Sequence, residues 1–167
     1  MKNNKGFSLV ELIIVIAILA ILVGVMAPLL YIYVSRTKVS ADIQLCDSIQ
    51  EAIVYAMSDP DVVNADDSSK SQIDQICSGN KVALDTIGDS EFSRCVNDTM
   101  GYDVFSVSGN RDHFTTRVAQ ENGEVFTQFY DGKYYVWING SDASGKDNNV
   151  MTADNASLVE NGVIYSF

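Results

Sequence analysis

The chain has little positive charge. Its 167 residues include 11 Lys and Arg against 22 Asp and Glu, which gives a formal net charge of −11. Nucleic-acid sites need clusters of Lys and Arg to meet phosphates, so this balance argues against a nucleic-acid partner. The single histidine, His113, and the three cysteines have no spacing typical of a zinc site, and no serine lies in the motif of a hydrolase nucleophile. We therefore predict a protein that is not an enzyme and needs no cofactor.

Charge of either sign is almost missing from one long stretch. From Phe7 to Val34 the residues are nearly all apolar, and Glu11 is the only charged one. A helix needs about 20 apolar residues to cross the hydrocarbon of a bilayer, so this stretch is long enough. A cleaved secretory signal peptide is the alternative, but its apolar region is only about 7–15 residues long. We predict a retained membrane helix, and Lys2 and Lys5 favour a cytoplasmic N-terminus.

Proline is also scarce, and both prolines bear on one long helix predicted over residues 7–58. Pro60 predicts where this helix ends, because the residue before a proline disfavours helical conformation. Pro28 lies inside the helix, where it removes a backbone hydrogen bond and predicts a kink. Gly24, four residues earlier, loosens the same region. Pro28 therefore marks a predicted bend rather than an end.

The second half of this helix, residues 35–58, is predicted to be amphipathic. Its apolar residues recur at steps of three and four, which places them on one face. This apolar stripe consists of Val39, Ile43, Cys46, Ile49, Ile53 and Ala56. Polar residues such as Asp42 and Asp47 are expected to lie off the stripe.

Only three cysteines occur. Cys46 falls on the apolar stripe and is expected to be a small buried side chain. Cys77 and Cys95 fall in the connecting region, residues 59–101, where an exported domain can hold a disulfide. We favour the Cys77–Cys95 pair, although the other pairings and three free thiols remain open at the level of sequence.

From residue 102 onward the period of the sequence changes to two, which predicts β-strands. The β-rich runs are YDVFSV, FTTRVA, EVFTQFY and KYYVWI, and GVIYSF closes the chain. Asn122-Gly123 and Asp131-Gly132 predict hairpin turns, because a type I′ turn needs positive φ at both central residues. We expect an α+β fold, in which the long N-terminal helix packs on an antiparallel sheet of about four strands.

One loop-like segment, SDASGKDNN, contains oxygen ligands of the kind that calcium prefers. They are Asp142, Ser144, Asp147 and Asn149. The segment lacks the EF-hand pattern, so we predict a flexible loop without a metal.

The stretch KGFSLVELIIVIAILAILVGVMAPLL resembles the N-terminal signature of type IV pilins and pseudopilins. This signature consists of a short basic leader ending in glycine, an apolar or aromatic residue after the cleavage site, a glutamate at the fifth position and a long apolar helix. Gly6, Phe7 and Glu11 occupy these positions, and Pro28 falls where many pilins carry a proline. Beyond residue 34 the resemblance is one of architecture only.

The resemblance implies a processing pathway. A membrane prepilin peptidase would cut between Gly6 and Phe7, and the new amino terminus of Phe7 would be N-methylated. Glu11 would then form an assembly salt bridge with the amino terminus of a neighbouring chain. The implied partners are other copies of the chain, other pilins, the peptidase and methyltransferase, the pilus assembly platform and the membrane.

The implied function is that of a structural subunit of an extracellular type IV pilus, and the alternative is a pseudopilin of a type II secretion or competence system. The precursor would be a single-pass protein of the cytoplasmic membrane with its head outside. The subunit would later lie in a filament at the cell surface. The expected segments are a leader (1–6), a membrane or filament-core helix (7–34), its amphipathic continuation (35–58), a connecting region (59–101) and a sheet head (102–167).

Overall fold

The computed structural model describes residues 8–65, 67–130, 132–141, 147–151, 157–160 and 163–166. The chain divides after Thr37 into two compact units, which are described separately below. The first unit contains the apolar beginning of the long helix. The second unit, residues 38–167, is called the head from here on; it is longer than the predicted sheet head (102–167).

The elements follow one another as a long helix, several short helices with one two-residue strand among them, and then a run of strands, which confirms the predicted α+β class. The helices are α1 (Leu9–Ser58), α2 (Pro60–Val63), α3 (Asp67–Cys77), α4 (Glu91–Met100), α5 (Val107–His113) and α6 (Arg117–Asn122), with a 3-10 turn at Leu84–Thr86. The strands are β1 (Val82–Ala83), β2 (Glu124–Tyr130), β3 (Lys133–Ser141), β4 (Asp147–Met151), β5 (Ser157–Glu160) and β6 (Val163–Ser166).

Helix α1 ends just before Pro60, as the proline predicts. Asp59 breaks the helical conformation, and its carboxylate accepts a hydrogen bond of 2.8 Å from the N–H of Asp61. Pro60 occupies the first turn of α2, where its missing N–H costs nothing. One proline thus ends one helix and begins the next.

The strands form one antiparallel sheet in the order β1-β2-β3-β4-β5-β6. Tyr130 pairs with Lys133, so a two-residue turn joins β2 to β3 and the predicted hairpin at Asp131-Gly132 is confirmed. Within the described residues the sheet has six strands rather than the expected four or so. Strand β1 is only two residues long and too short for alternation to reveal, and β4 begins at Asp147 inside the segment predicted as a loop.

The runs YDVFSV and FTTRVA do not form the predicted strands. Each precedes or enters a short helix, α5 or α6. Asn122-Gly123 is not a hairpin turn either, because Gly123 ends α6 with φ 64°. A helix C-terminus and a type I′ turn both require a residue of positive φ, so the dipeptide could not distinguish them. A Cβ on Gly123 would also lie 2.6 Å from the carbonyl oxygen of Val107.

The predicted apolar stripe of α1 is confirmed as the head's core. All six of its residues are buried, none of them more than 7% exposed. They belong to one cluster with buried side chains of α4 and of the sheet, among them Phe92, Val96, Val125, Val136 and Ile138. Strand register places Val125 opposite Ile138 and Thr127 opposite Val136, so these four side chains share the sheet face that joins the core.

Asp42 was predicted to lie off the buried stripe, and this prediction is wrong, because its side chain is only 1% exposed. It lies three residues after Val39 and four before Cys46, which is helical spacing on the buried face. Its Oδ1 accepts a hydrogen bond of 2.7 Å from the N–H of Thr115, and its Oδ2 accepts one of 2.9 Å from the N–H of Thr116.

The hydroxyl of Thr115 completes this contact, which we call the Asp42 clamp (Asp42, Thr115 and Thr116). Its Oγ1 lies 2.8 Å from Asp42 Oδ1 and 2.8 Å from the carbonyl oxygen of Lys38, and its one hydrogen can serve either acceptor. A buried carboxylate is tolerated only when hydrogen bonds replace its water. The clamp therefore ties the start of the head's helix to the segment before α6.

We expect Asp42→Asn to destabilise the head by about 1.5–3 kcal/mol, the usual contribution of a hydrogen bond to a charged group. The asparagine amide turns an N–H toward one of the two backbone donors, so that donor stays buried without an acceptor. The check is urea denaturation of the full chain in detergent. Glu51→Gln removes the same charge from an exposed position of α1 and is the matched control. An equal midpoint for the two variants would contradict a stabilising clamp.

Candidate assembly helix

The first unit presents an apolar surface that the described residues of that unit do not cover. All described side chains from Ser8 to Val34 are exposed. Twenty of them are large and apolar, from Leu9, 73% exposed, to Val34, 49% exposed. Burying one Val, Leu or Ile is worth about 1.5–3 kcal/mol, so covering this surface is worth tens of kcal/mol. Within the described residues, α1 is the one helix long and apolar enough to cross a membrane.

Glu11 lies in the first turn of α1, where its side chain folds back along the helix. Its Oε2 accepts a hydrogen bond of 2.8 Å from the N–H of Ser8. This is one half of a capping box, which satisfies a backbone donor that a helix start leaves without a partner. A carboxylate can accept about four hydrogen bonds, so the contact leaves room for a second donor.

The cleavage site predicted at Gly6 and Phe7 lies outside the described residues. The helix begins at Leu9, so the predicted site precedes it by only two residues. Helix α1 continues through Pro28, and a Cβ on Gly24 would meet no atom within 4 Å. The kink predicted at these two positions stays a prediction.

Cys77 and Cys95 are not joined in the structure, which therefore does not support the favoured disulfide. The exposed Cys77 Sγ lies 3.3 Å from the hydroxyl of Tyr134 in β3, and burial with this contact raises the pKa of Tyr134 to about 12. The half-buried Cys95 lies on α4, where burial and then Asp59 raise its pKa. The two thiols therefore have different neighbours.

Cys46 is fully buried on the apolar stripe, as predicted. Its burial, followed by the charges of Asp42 and Asp47, raises the pKa of its thiol well above the usual value. A neutral thiol in this position behaves as a small apolar side chain. Sequence reasoning located Cys46 correctly because its spacing fits the stripe.

His113 and the oxygen ligands considered for calcium are the other groups in the chain that the sequence analysis weighed for chemistry. His113 is exposed at the end of α5, where its ring stacks on Tyr102 with centroids 3.8 Å apart. Among the described residues no three His, Cys, Asp or Glu side chains are grouped as metal ligands. The calcium ligands considered at Asp142 and Ser144 lie outside the described residues, and Asp147 and Asn149 are described only by their backbone in β4.

Comparison with known proteins identifies the N-terminal segment. Residues 1–27 match the family described as "Prokaryotic N-terminal methylation motif". The chain is 37% identical over 84 residues to the type IV major fimbrial protein FimA of Dichelobacter nodosus, which is 50% of this chain and 52% of that protein. It is 42% identical over 53 residues to a fimbrial protein of Moraxella nonliquefaciens, which is 32% of this chain and 34% of that protein.

These findings define the class first: the chain carries a prokaryotic N-terminal methylation motif at the start of a long apolar helix. More particularly, the chain is similar over about half its length to type IV major fimbrial proteins, which confirms the resemblance seen in the sequence. The chain spans about half the length of the FimA proteins that it matches. No solved structure matches the chain.

We expect the three thiols to react with iodoacetamide at different rates. The thiolate is the reacting species, so a raised pKa lowers the reactive fraction near neutral pH. Exposed Cys77 should be alkylated first, half-buried Cys95 more slowly, and Cys46 only after unfolding. Peptide mass spectrometry of the full chain in detergent measures the order. If Cys77 and Cys95 become reactive only after a reductant is added, they form a disulfide and the expectation is wrong.

Proposed function

We propose that the chain is a structural subunit of an extracellular type IV pilus, processed by prepilin peptidase and polymerised through its N-terminal helix. The observation that carries the proposal is the apolar surface of residues 9–34, interrupted only by Glu11. Such a surface needs lipid or other copies of the same helix around it. This surface overlaps the methylation motif matched at residues 1–27, which supports a pilin over a simple membrane anchor.

Processing supplies the chemical group that assembly needs. Hydrolysis of the peptide bond between Gly6 and Phe7 would release residues 1–6 and leave a new α-amine on Phe7. Methylation of that amine keeps its positive charge. The cut also removes Lys2 and Lys5, so the mature chain is more acidic than its precursor.

Glu11 gives the assembling helices their register. An apolar helix surface alone allows neighbours to slide, because many offsets bury similar areas. A carboxylate buried without a partner is costly, so offsets that leave Glu11 away from a cation are disfavoured. The Phe7 amine of a neighbouring chain is the cation that processing creates. The Ser8 contact holds the Glu11 carboxylate at the helix end, where such an amine can approach it.

A polymer follows from repeating this contact. Identical chains related by a rotation that does not close produce an open helical filament. Residues 7–34 would form the filament core, and the acidic heads would face water. Gly24 and Pro28 would let the core helices bend or lose a turn while they pack.

The relatives found are fimbrial proteins, which favours a structural subunit over an enzyme. A pseudopilin, the alternative, would have the same N-terminal segment. We favour the pilus because the relatives found are named fimbrial proteins. The peptidase, the methyltransferase, the assembly platform and the cytoplasmic membrane are the partners that this pathway requires.

Surface-sheared filaments should contain a chain that begins at Phe7 and carries one added methyl group. The measurement is the intact mass of the sheared protein, with N-terminal fragmentation to place the methyl group. The membrane fraction of the same cells should contain both the precursor and the processed chain. Full-length protein confined to the membrane would contradict the proposal.

We expect Glu11→Gln to stop filament formation without stopping processing. Glutamine can still accept the Ser8 hydrogen bond, so the helix start is preserved while the charge is lost. The readouts are filament yield after shearing and the mass of the membrane-bound chain. Glu51→Gln, which removes a charge from the exposed face of the head's helix, should assemble normally. Wild-type filament yield from Glu11→Gln would rule out a register role for the charge.

A further inference from the structure

Two exposed tyrosines lie at the end of the apolar segment. Tyr31 is 79% exposed and Tyr33 is 70% exposed, the former more so than any other large apolar side chain described. Arg36 follows them and is exposed as well. The hydroxyl of Thr37, one residue further, is satisfied by the carbonyl oxygen of Tyr33 at 3.0 Å. Aromatic and basic side chains of this kind are enriched where a helix leaves the hydrocarbon.

The tyrosines do not share a face of the helix. Successive residues of an α-helix are about 100° apart, so Tyr31 and Tyr33 are separated by about 200°. Arg36 lies about 60° from the Tyr33 direction by the same geometry. A docking site for one partner helix would place its anchors on one side. Anchors on opposite sides fit surroundings that are alike all round, as a lipid headgroup layer is.

The length of the segment agrees with the same occupant. Glu11 and Tyr31 are twenty residues apart, which is about 30 Å at 1.5 Å per residue. The hydrocarbon core of a bilayer is about 30 Å thick. When Tyr31 lies at one interface, the Glu11 carboxylate lies at the other, together with the Ser8 N–H that donates a hydrogen bond to it. Neither polar end then has to enter the hydrocarbon.

We infer that Tyr31, Tyr33 and Arg36 form an interfacial belt that sets the depth of α1 in a phospholipid bilayer and thereby keeps Glu11 at the opposite interface until assembly. The tyrosine rings lie among the glycerol and carbonyl groups, and Arg36 reaches the phosphates. The inference rests on the membrane-anchored stage of the proposed function and does not depend on filament formation.

The first test locates the belt with tryptophan. Tyr31→Trp, Tyr33→Trp and, as a deep reference, Met26→Trp are made in the full chain. Each is placed in phosphatidylethanolamine–phosphatidylglycerol vesicles whose acyl chains are brominated either just below the headgroup or near the chain end. The signal of the native Trp137 is subtracted from each. Tryptophan at 31 and 33 should be quenched more by the shallow bromines. Tryptophan at 26, about 7–8 Å deeper than position 31, should be quenched more by the deep ones.

The second test asks whether the tyrosines set the depth. In the Met26→Trp chain, Tyr31→Leu with Tyr33→Leu should move the reporter toward the deep bromines, because the apolar segment now extends closer to Arg36. The matched control is Ile32→Leu with Val34→Leu, which changes the same turn and keeps both tyrosines. The control should leave the quenching profile of the reporter as it was.

Other quenching results would each contradict one part of the inference. If neither position 31 nor position 33 is quenched, or both are quenched most by the deep bromines, the belt is not at the interface. If only one is quenched, a protein neighbour covers the other and the occupant is a second copy. An unchanged reporter in the leucine pair means that the tyrosines do not set the depth. If Met26→Trp itself escapes quenching, the membrane-anchored stage of the proposed function fails, not the belt alone.

Discussion

The behaviour of this protein depends on the apolar surface of its first unit. Residues 9–34 present twenty large apolar side chains to their surroundings, and no described residue of the first unit covers them. The free energy at stake is tens of kcal/mol, far more than the stability of an ordinary domain. One carboxylate, even at its full cost of about 2.5–3.5 kcal/mol at a membrane centre, does not alter that balance. It can, however, decide which of many similar packings is preferred.

The second half of the same helix has its apolar residues covered by the head. From Val39 onward the apolar residues of α1 occupy one stripe, and the head buries that stripe in its own core. A carboxylate also enters this core at Asp42, where two backbone N–H groups and a hydroxyl replace water. Glu11 and Asp42 thus contrast within one helix. Asp42 has its donors inside the folded head. In the described part of the chain the donor to Glu11 is a local backbone N–H, and the Glu11 carboxylate has capacity for another.

The periodicity of apolar residues and the positions of proline and glycine predicted most of the fold. The stripe from Val39 to Ala56, the end of α1 before Pro60 and the hairpin at Asp131-Gly132 each follow from local physics, and each is confirmed. The failures lie where one local signal has two meanings. Gly123 needs positive φ in a hairpin turn and at a helix end alike, and a short alternating run such as YDVFSV does not exclude a helix start. Asp42 was excluded from the core because it is polar, although its spacing places it on the buried face.

The sequence by itself determined the long helix, its division into an all-round apolar part and a striped part, and the position of Glu11 in the first turn. These follow from periodicity and composition, which act over a few residues. Only the tertiary structure decided that Asp42 is buried, that Cys77 and Cys95 have different neighbours, and which face of β2 joins the core. Those outcomes depend on donors and side chains that lie far apart in the chain, as Thr115 does from Asp42. Local sequence carries no information about which distant group will satisfy a buried polar atom.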